Sequence, residues 1–279
     1  GEYNIKLWRL FDYSAGTREY PAFNTIVPGR GYWLIVRNSA TINPGPGAAV
    51  QVNSNEAFQI NLVSGWNLIG NPFNFRLSWQ EIMDFNNNPA GVENLKGFSQ
   101  GTLVEIDLLD RYRGGFVFSQ NAVTLQIPAL RNTSLGGRAG SQKINNSIDE
   151  EQWEVDLTLS AGHLANKLGG IGMNPDATLI GKDRYDEVSL PLPDGLDLFE
   201  LRFPHPELFT SFNKEVVRTQ ENYTWDVEVR RSPSHSQLKI SWQNDYFGEN
   251  EKELVLFDPA SLETVDMRKN NSYNLSPET

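Results

Sequence analysis

Three aspartates, Asp176, Asp183 and Asp186, fall within one loop-like segment, NPDATLIGKDRYDEVSLPLP. Clustered carboxylates are the donors that Ca²⁺ takes, about six to eight oxygens at a time, so these three are the candidate metal ligands. Their spacing is not that of an EF-hand loop, and acidic loops are commonly just solvated. A second chemistry is suggested by rings. Tyr32 and Trp33 in PGRGYWLI, and Trp66 in SGWNLIGNPFNF, are the candidate ligand-binding residues. Such rings can stack on a sugar face while amides such as Asn67 and Asn71 bond its hydroxyls. The competing reading of the same stretch is a β-corner: Trp66 and Leu68 share one strand face, which favours burial, while Gly65, Gly70 and Pro72 shape turns.

Catalytic constellations are not legible. His163, His205 and His235 are scattered without a paired metal spacing, and no GxSxG elbow occurs. The chain has no cysteine, which removes thiol catalysis, Cys-ligated zinc and disulfides together. With 35 Asp and Glu available, no carboxylate pair stands out for glycoside hydrolysis. The expectation is therefore a non-enzymatic protein without a cofactor, Ca²⁺ being the one candidate ion.

The elements that would position these residues read as strands almost throughout. Runs rich in β-branched and aromatic residues, such as GYWLIVR, WNLIG, GGFVFS, VTLQIP, QWEVDLTL, YTWDVEVR and LKISW, recur between Gly, Pro, Asn and Asp clusters. In WEVDLTL, Trp153, Val155, Leu157 and Leu159 alternate with Glu154, Asp156 and Thr158, the pattern of one dry and one wet sheet face. One short helix is expected near residues 78–85, where Ser78 stands three residues before Glu81 in a capping-box spacing. Pro28-Gly29 suits a type II turn, with glycine at the position that needs positive φ. The fold class is thus mainly β, in two β-rich domains. Residues 1–130 form the first, 131–151 (polar and rich in Gly, Ser and Asn) a linker, and 152–279 an acidic antiparallel β-sandwich.

An internal repeat marks the first domain. Residues 7–42 and 95–127 both run aromatic residue, Gly-Thr, alternating segment, Arg-Gly, aromatic strand and closing β-branched segment, with Gly31 aligned to Gly115 and Tyr32 to Phe116. The GWNLIGNPF block precedes the second copy. Its counterpart is expected ahead of Trp8, so the chain reads as part of a longer precursor.

Charge is unevenly divided. Residues 1–140 hold 11 Lys and Arg against 10 Asp and Glu, whereas residues 141–279 hold 13 against 25. The second half is therefore strongly acidic and repels phosphate backbones, and the near-neutral first half has no basic stripe. Nucleic acid is not an expected partner. Membrane insertion is not expected either, because no run approaches the roughly 18 apolar residues of a spanning helix.

The blocks WRLFDY, YPAFNTIVPGRGYWLIV, FQINLVSGWNLIGNPFNF, WEVDLTLSA and LFELRFPHPE, in this order, resemble the C-terminal β-rich region of large secreted Bacteroidota proteins exported by the type IX (Por) route. The resemblance implies an extracellular or outer-surface address and no catalytic residues. The function expected is a structural or interaction module of a larger cell-surface protein. Its partners would be other domains of the same precursor, or a cell-surface glycan or protein. The alternative is a carbohydrate-binding accessory module using Trp8, Trp33, Trp66, Trp79 and Tyr32.

Overall fold

The computed structural model describes residues 3–14, 16–39, 41, 50, 52, 57–129, 151–193, 198–232, 234–235, 237–243 and 253–275. The linker expected at 131–151 lies, but for Glu151, outside them. The chain is mainly β and sandwich-like, with a single short α-helix among the described residues. It divides into two compact units. One comprises Gly1–Gly97, Glu105–Ala139 and Pro191–Pro193, the other Phe98–Val104, Gly140–Leu190 and Asp194–Thr279.

The first eleven strands are β1 (Trp8–Tyr13), β2 (Thr17–Glu19), β3 (Trp33–Val36), β4 (Phe58–Leu62), β5 (Gly65–Gly70), β6 (Leu77–Ser78), β7 (Lys96–Ser99), β8 (Thr102–Glu105), β9 (Leu108–Leu109), β10 (Gly114–Ser119) and β11 (Val123–Ile127). In the first unit β1 pairs antiparallel with β2 and β3, and β10 pairs antiparallel with β5. The hairpin turn between β1 and β2 is fastened by charge: Arg9 Nε and Nη2 each donate to Glu19 at 2.8 Å. That bidentate pair holds the Glu19 carboxyl down at about 2. Asp12, almost completely buried, accepts from Arg18 and faces Arg30 Nη1 at 3.4 Å.

The helix α1 (Trp79–Phe85) starts where its sequence signal places it: Ser78 is the N-cap and its hydroxyl accepts from the Glu81 N–H at 3.3 Å. Its apolar stripe, Trp79 and Ile82, closes a core with Ile60, Leu62, Ile69, Phe73, Leu77, Leu95, Leu109, Leu125 and Ile127. The Pro28-Gly29 turn is also as expected, with Gly29 at φ 79° and the Arg30 N–H bonded to the Val27 carbonyl.

Glycines explain how the first repeat copy meets the GWNLIGNPF block that precedes the second. The Gly31 N–H donates to Leu68 O and the Gly70 N–H to Gly29 O, both at 3.0 Å, so residues 29–31 lie along the edge of β5 that β10 does not use. A Cβ on Gly31 would stand 2.5 Å from Ile69 O, and one on Gly70 2.5 Å from Arg30 O. Only glycine permits this backbone approach. The chain then leaves β5 and continues as β3 alongside β1.

In the second unit the strands are β12 (Trp153–Ala161), β13 (Leu164–Met173), β14 (Glu187–Val188), β15 (Phe199–His205), β16 (Thr210–Val217), β17 (Glu228–Arg231), β18 (Leu238–Trp242), β19 (Val255–Asp258), β20 (Glu263–Asp266) and β21 (Ser272–Leu275). Most ladders are antiparallel, with β12 between β13 and β18 and with β15 between β16 and β17. However, β13 runs parallel to β16 and to β8, so this sheet is mixed. The alternation in β12 holds: Trp153, Val155, Leu157 and Leu159 are buried and Asp156 is exposed. YTWDVEVR forms a strand only from Glu228 onward. Its first half leaves the ladder because Trp225 packs edge-on against Trp153 (5.8 Å) and Tyr223 (4.8 Å).

Candidate functional site

Within the first unit a groove of about 850 Å³ runs over the sheet face formed by β1 and β3. Its floor follows from strand register. Leu10 lies opposite Leu34 and Trp8 opposite Val36, so all four side chains stand on the same face. Leu34 and Val36 are 40% and 41% exposed, high for aliphatic residues on a strand. Arg30, Arg37 and Arg113 border the groove together with Tyr32 and Tyr112, and among the described residues no carboxylate lines it. Arg37 and Arg113 form no ion pair among the described residues, whereas Arg30 shares Asp12 with Arg18. Tyr112 sits in the left-handed region (φ 58°) and is 91% exposed, a presentation no core requires. Exposed guanidinium and phenol groups beside an aliphatic floor suit a ligand that is partly apolar and partly anionic.

The ring residues singled out in the sequence do not come together. Tyr32 lines the groove; its hydroxyl accepts from the Val27 N–H at 2.9 Å and its ring packs on Phe23. Trp33, the next residue along, points to the opposite face and lies 6.1 Å from Phe116. Trp66 is buried, edge-on to Phe116 and Phe118, with the Lys96 ammonium 5.5 Å from its ring centre. Trp79 is buried in the first turn of the helix, and Trp8 reaches the groove while packing on Tyr3 and Tyr20. Asn67 and Asn71 serve the backbone: Asn67 bonds Val63 and Gly65, and Asn71 donates to the carbonyls of Phe75 and Leu109. Reading the sequence by rings and amides missed Arg37, Arg113 and Tyr112. The signal available was Asp-Arg-Tyr-Arg-Gly-Gly, an arginine-rich turn before a strand.

The second unit carries a buried polar network. Asp186 accepts from the Asp183 and Val216 N–H groups, both at 3.0 Å, and burial pushes its carboxyl up to about 6. Asp183 in turn accepts from the Thr178 hydroxyl (3.0 Å) and the Thr178 and Tyr185 N–H groups. Asp176 is exposed near Arg184. Among the described residues no three His, Asp or Glu are placed to hold a metal. We expect added Ca²⁺ or a chelator to leave the melting temperature unchanged. A rise of several degrees with millimolar Ca²⁺ would instead assign these aspartates to a metal site.

Close to this network, His205 Nε2 lies 3.1 Å from the buried Glu215 carboxylate and Nδ1 2.8 Å from Glu207. The Tyr223 hydroxyl donates to Glu215 at 3.5 Å. Burial pushes the Glu215 carboxyl up, opposed by His205, and burial with Glu215 nearby pushes the Tyr223 phenol to about 12. His205 and Tyr223 converge on one oxygen of Glu215, the arrangement of a network that fixes one strand pairing. His163 and His235 stand apart from it; His235 packs edge-on against Phe199.

Comparison with known proteins gives no match: no family model, no curated protein and no solved structure matches the chain. No helix among the described residues is long and apolar enough to cross a membrane.

Proposed function

We propose that this chain is a non-enzymatic interaction module of a larger extracellular or cell-surface protein, and that the groove over β1 and β3 is its binding surface. The observation that carries this reading is the groove itself: exposed Leu34 and Val36 beside Arg37 and Arg113, with no carboxylate in the lining among the described residues. A contiguous apolar strip on a sheet face, rimmed by polar side chains, is the kind of surface that binding sites use. The surface address rests on the resemblance of the GRGYWLI and GWNLIGNPF blocks to secreted proteins.

A carbohydrate-binding role is the second reading, supported by Trp8, Tyr32 and Tyr112 on the groove. The two separate in parallel selections on a random-peptide display library and a glycan array, with Leu34→Lys as the control chain. We expect peptides to be enriched and that enrichment to fall about tenfold with Leu34→Lys. Retention of glycans by the wild-type chain alone would support the sugar reading. Equal selection by both chains would place binding outside the groove.

A further inference from the structure

Among the described residues the surroundings of the two repeat copies differ by one strand. In the second copy β10 has β7 on one edge (Phe116 opposite Lys96) and β5 on the other. In the first copy β3 has β1 on one edge (Trp33 opposite Phe11), and among the described residues no strand pairs with its other edge. These ladder partners make Trp33 the counterpart of Phe116, one residue on from the match that sequence suggests, so Leu34 corresponds to Val117 and Val36 to Ser119.

Backbone alternation supports the correspondence. The Arg37 N–H bonds Leu7 O at 2.9 Å, which turns the odd-numbered residues of β3 toward β1 and the N–H and C=O groups of Leu34 and Val36 outward. In β10 the Arg113 carbonyl accepts from the Asn71 N–H at 3.0 Å, which turns Val117 and Ser119 toward β5. Val117 is fully buried and Leu34 is 40% exposed. Among the described residues, the same position in the repeat is therefore covered by a strand in one copy and open in the other.

We infer that the outer edge of β3 is an acceptor for an extended segment of a partner polypeptide, which adds antiparallel as β5 does to β10. The occupant is specified by β5, Gly-Trp-Asn-Leu-Ile-Gly: alternating side chains that bury on one face, with glycines where the backbone runs close to a neighbour. Main-chain bonds to Leu34 and Val36 would supply affinity, and the apolar floor would select the alternate side chains. This rests on the groove being the binding surface and names what fills it.

The test is titration of a synthetic peptide with the sequence of residues 64–75 into the intact chain, by calorimetry and by amide hydrogen exchange. Binding is expected with exchange at Leu34 and Val36 slowed at least about tenfold, and a scrambled peptide should bind at least about tenfold more weakly. Val36→Pro removes an outward N–H and no β1 bond, a placement an edge strand tolerates, so it should abolish binding while the melting transition persists. Should that variant unfold, the wild-type exchange measurement decides alone. Binding that leaves both amides fast would refute strand addition while the groove reading stands. Absence of peptide binding, with display selection still dependent on Leu34, would do the same. Amides already protected in the free chain, or a dimer formed through the β3 edge, would also overturn the proposal.

Discussion

Replacing Trp66 with alanine is expected to destabilise the first unit by about 3–5 kcal/mol, the usual loss for truncating a buried indole. The ring stands opposite Phe118 in the β5–β10 ladder and contacts Phe116 edge-on, so the deletion opens a cavity against both rings of β10. It also strips the aromatic face from Lys96, a nearly inaccessible ammonium whose carboxylate neighbour is Glu93 at 3.5 Å. A cation left beside a void is poorly solvated, which adds to the cavity term. Urea unfolding followed by fluorescence of the remaining indoles should show a lower midpoint at an unchanged slope. A loss below about 1 kcal/mol would place the ring at the surface and restore it as a ligand platform.

The second large effect is a pH dependence in the other unit. Asp186 has its carboxyl raised to about 6 from an ordinary 3.8, because burial disfavours the carboxylate more than two backbone N–H bonds favour it. Between those values the folded chain binds a proton that the unfolded chain has released. Stability from this group is therefore fully present below the unfolded value and is lost as pH rises through the folded one. A difference of roughly two pH units corresponds to about 3 kcal/mol. Comparison with Asp186→Asn isolates the term, since the amide cannot ionise. The wild-type chain should lose up to about 3 kcal/mol relative to the variant between about pH 4 and pH 7. Parallel stability curves for the two chains would show that Asp186 titrates normally.

What could be read from the sequence was whatever is local. The alternation from Trp153 to Leu159, the Ser78 cap and the positive-φ glycine after Pro28 each depend on residues within one turn or one strand, and the structure has all three. The half-strand at Tyr223 was misread for the opposite reason: its alternation satisfies a pattern, but Trp225 is drawn out of the ladder by Trp153, a partner far along the chain. The groove is likewise non-local. Arg37 follows β3 and Arg113 precedes β10, and no spacing rule joins them. They meet because Gly31, Gly70 and Gly114 let three backbone segments run within contact distance. Gly70 was visible as a turn former and Gly31 as a repeat position; the close backbone approach they permit needed coordinates. Trp66 illustrates the converse. Its strand face was legible, and burial against Phe118 follows from the pairing of β5 with β10.

The asymmetry between the two repeat copies is the claim on which the binding surface and its proposed occupant both depend. Amide hydrogen exchange on the free chain tests it most directly, because the two strands are compared inside one unit under one condition. The amides of Val117 and Ser119, bonded to β5, should exchange only with the opening of the unit, while those of Leu34 and Val36 should exchange at rates close to an exposed edge. Equal and strong protection at all four positions would contradict the account, since it would mean that β3 already has a strand on its outer edge.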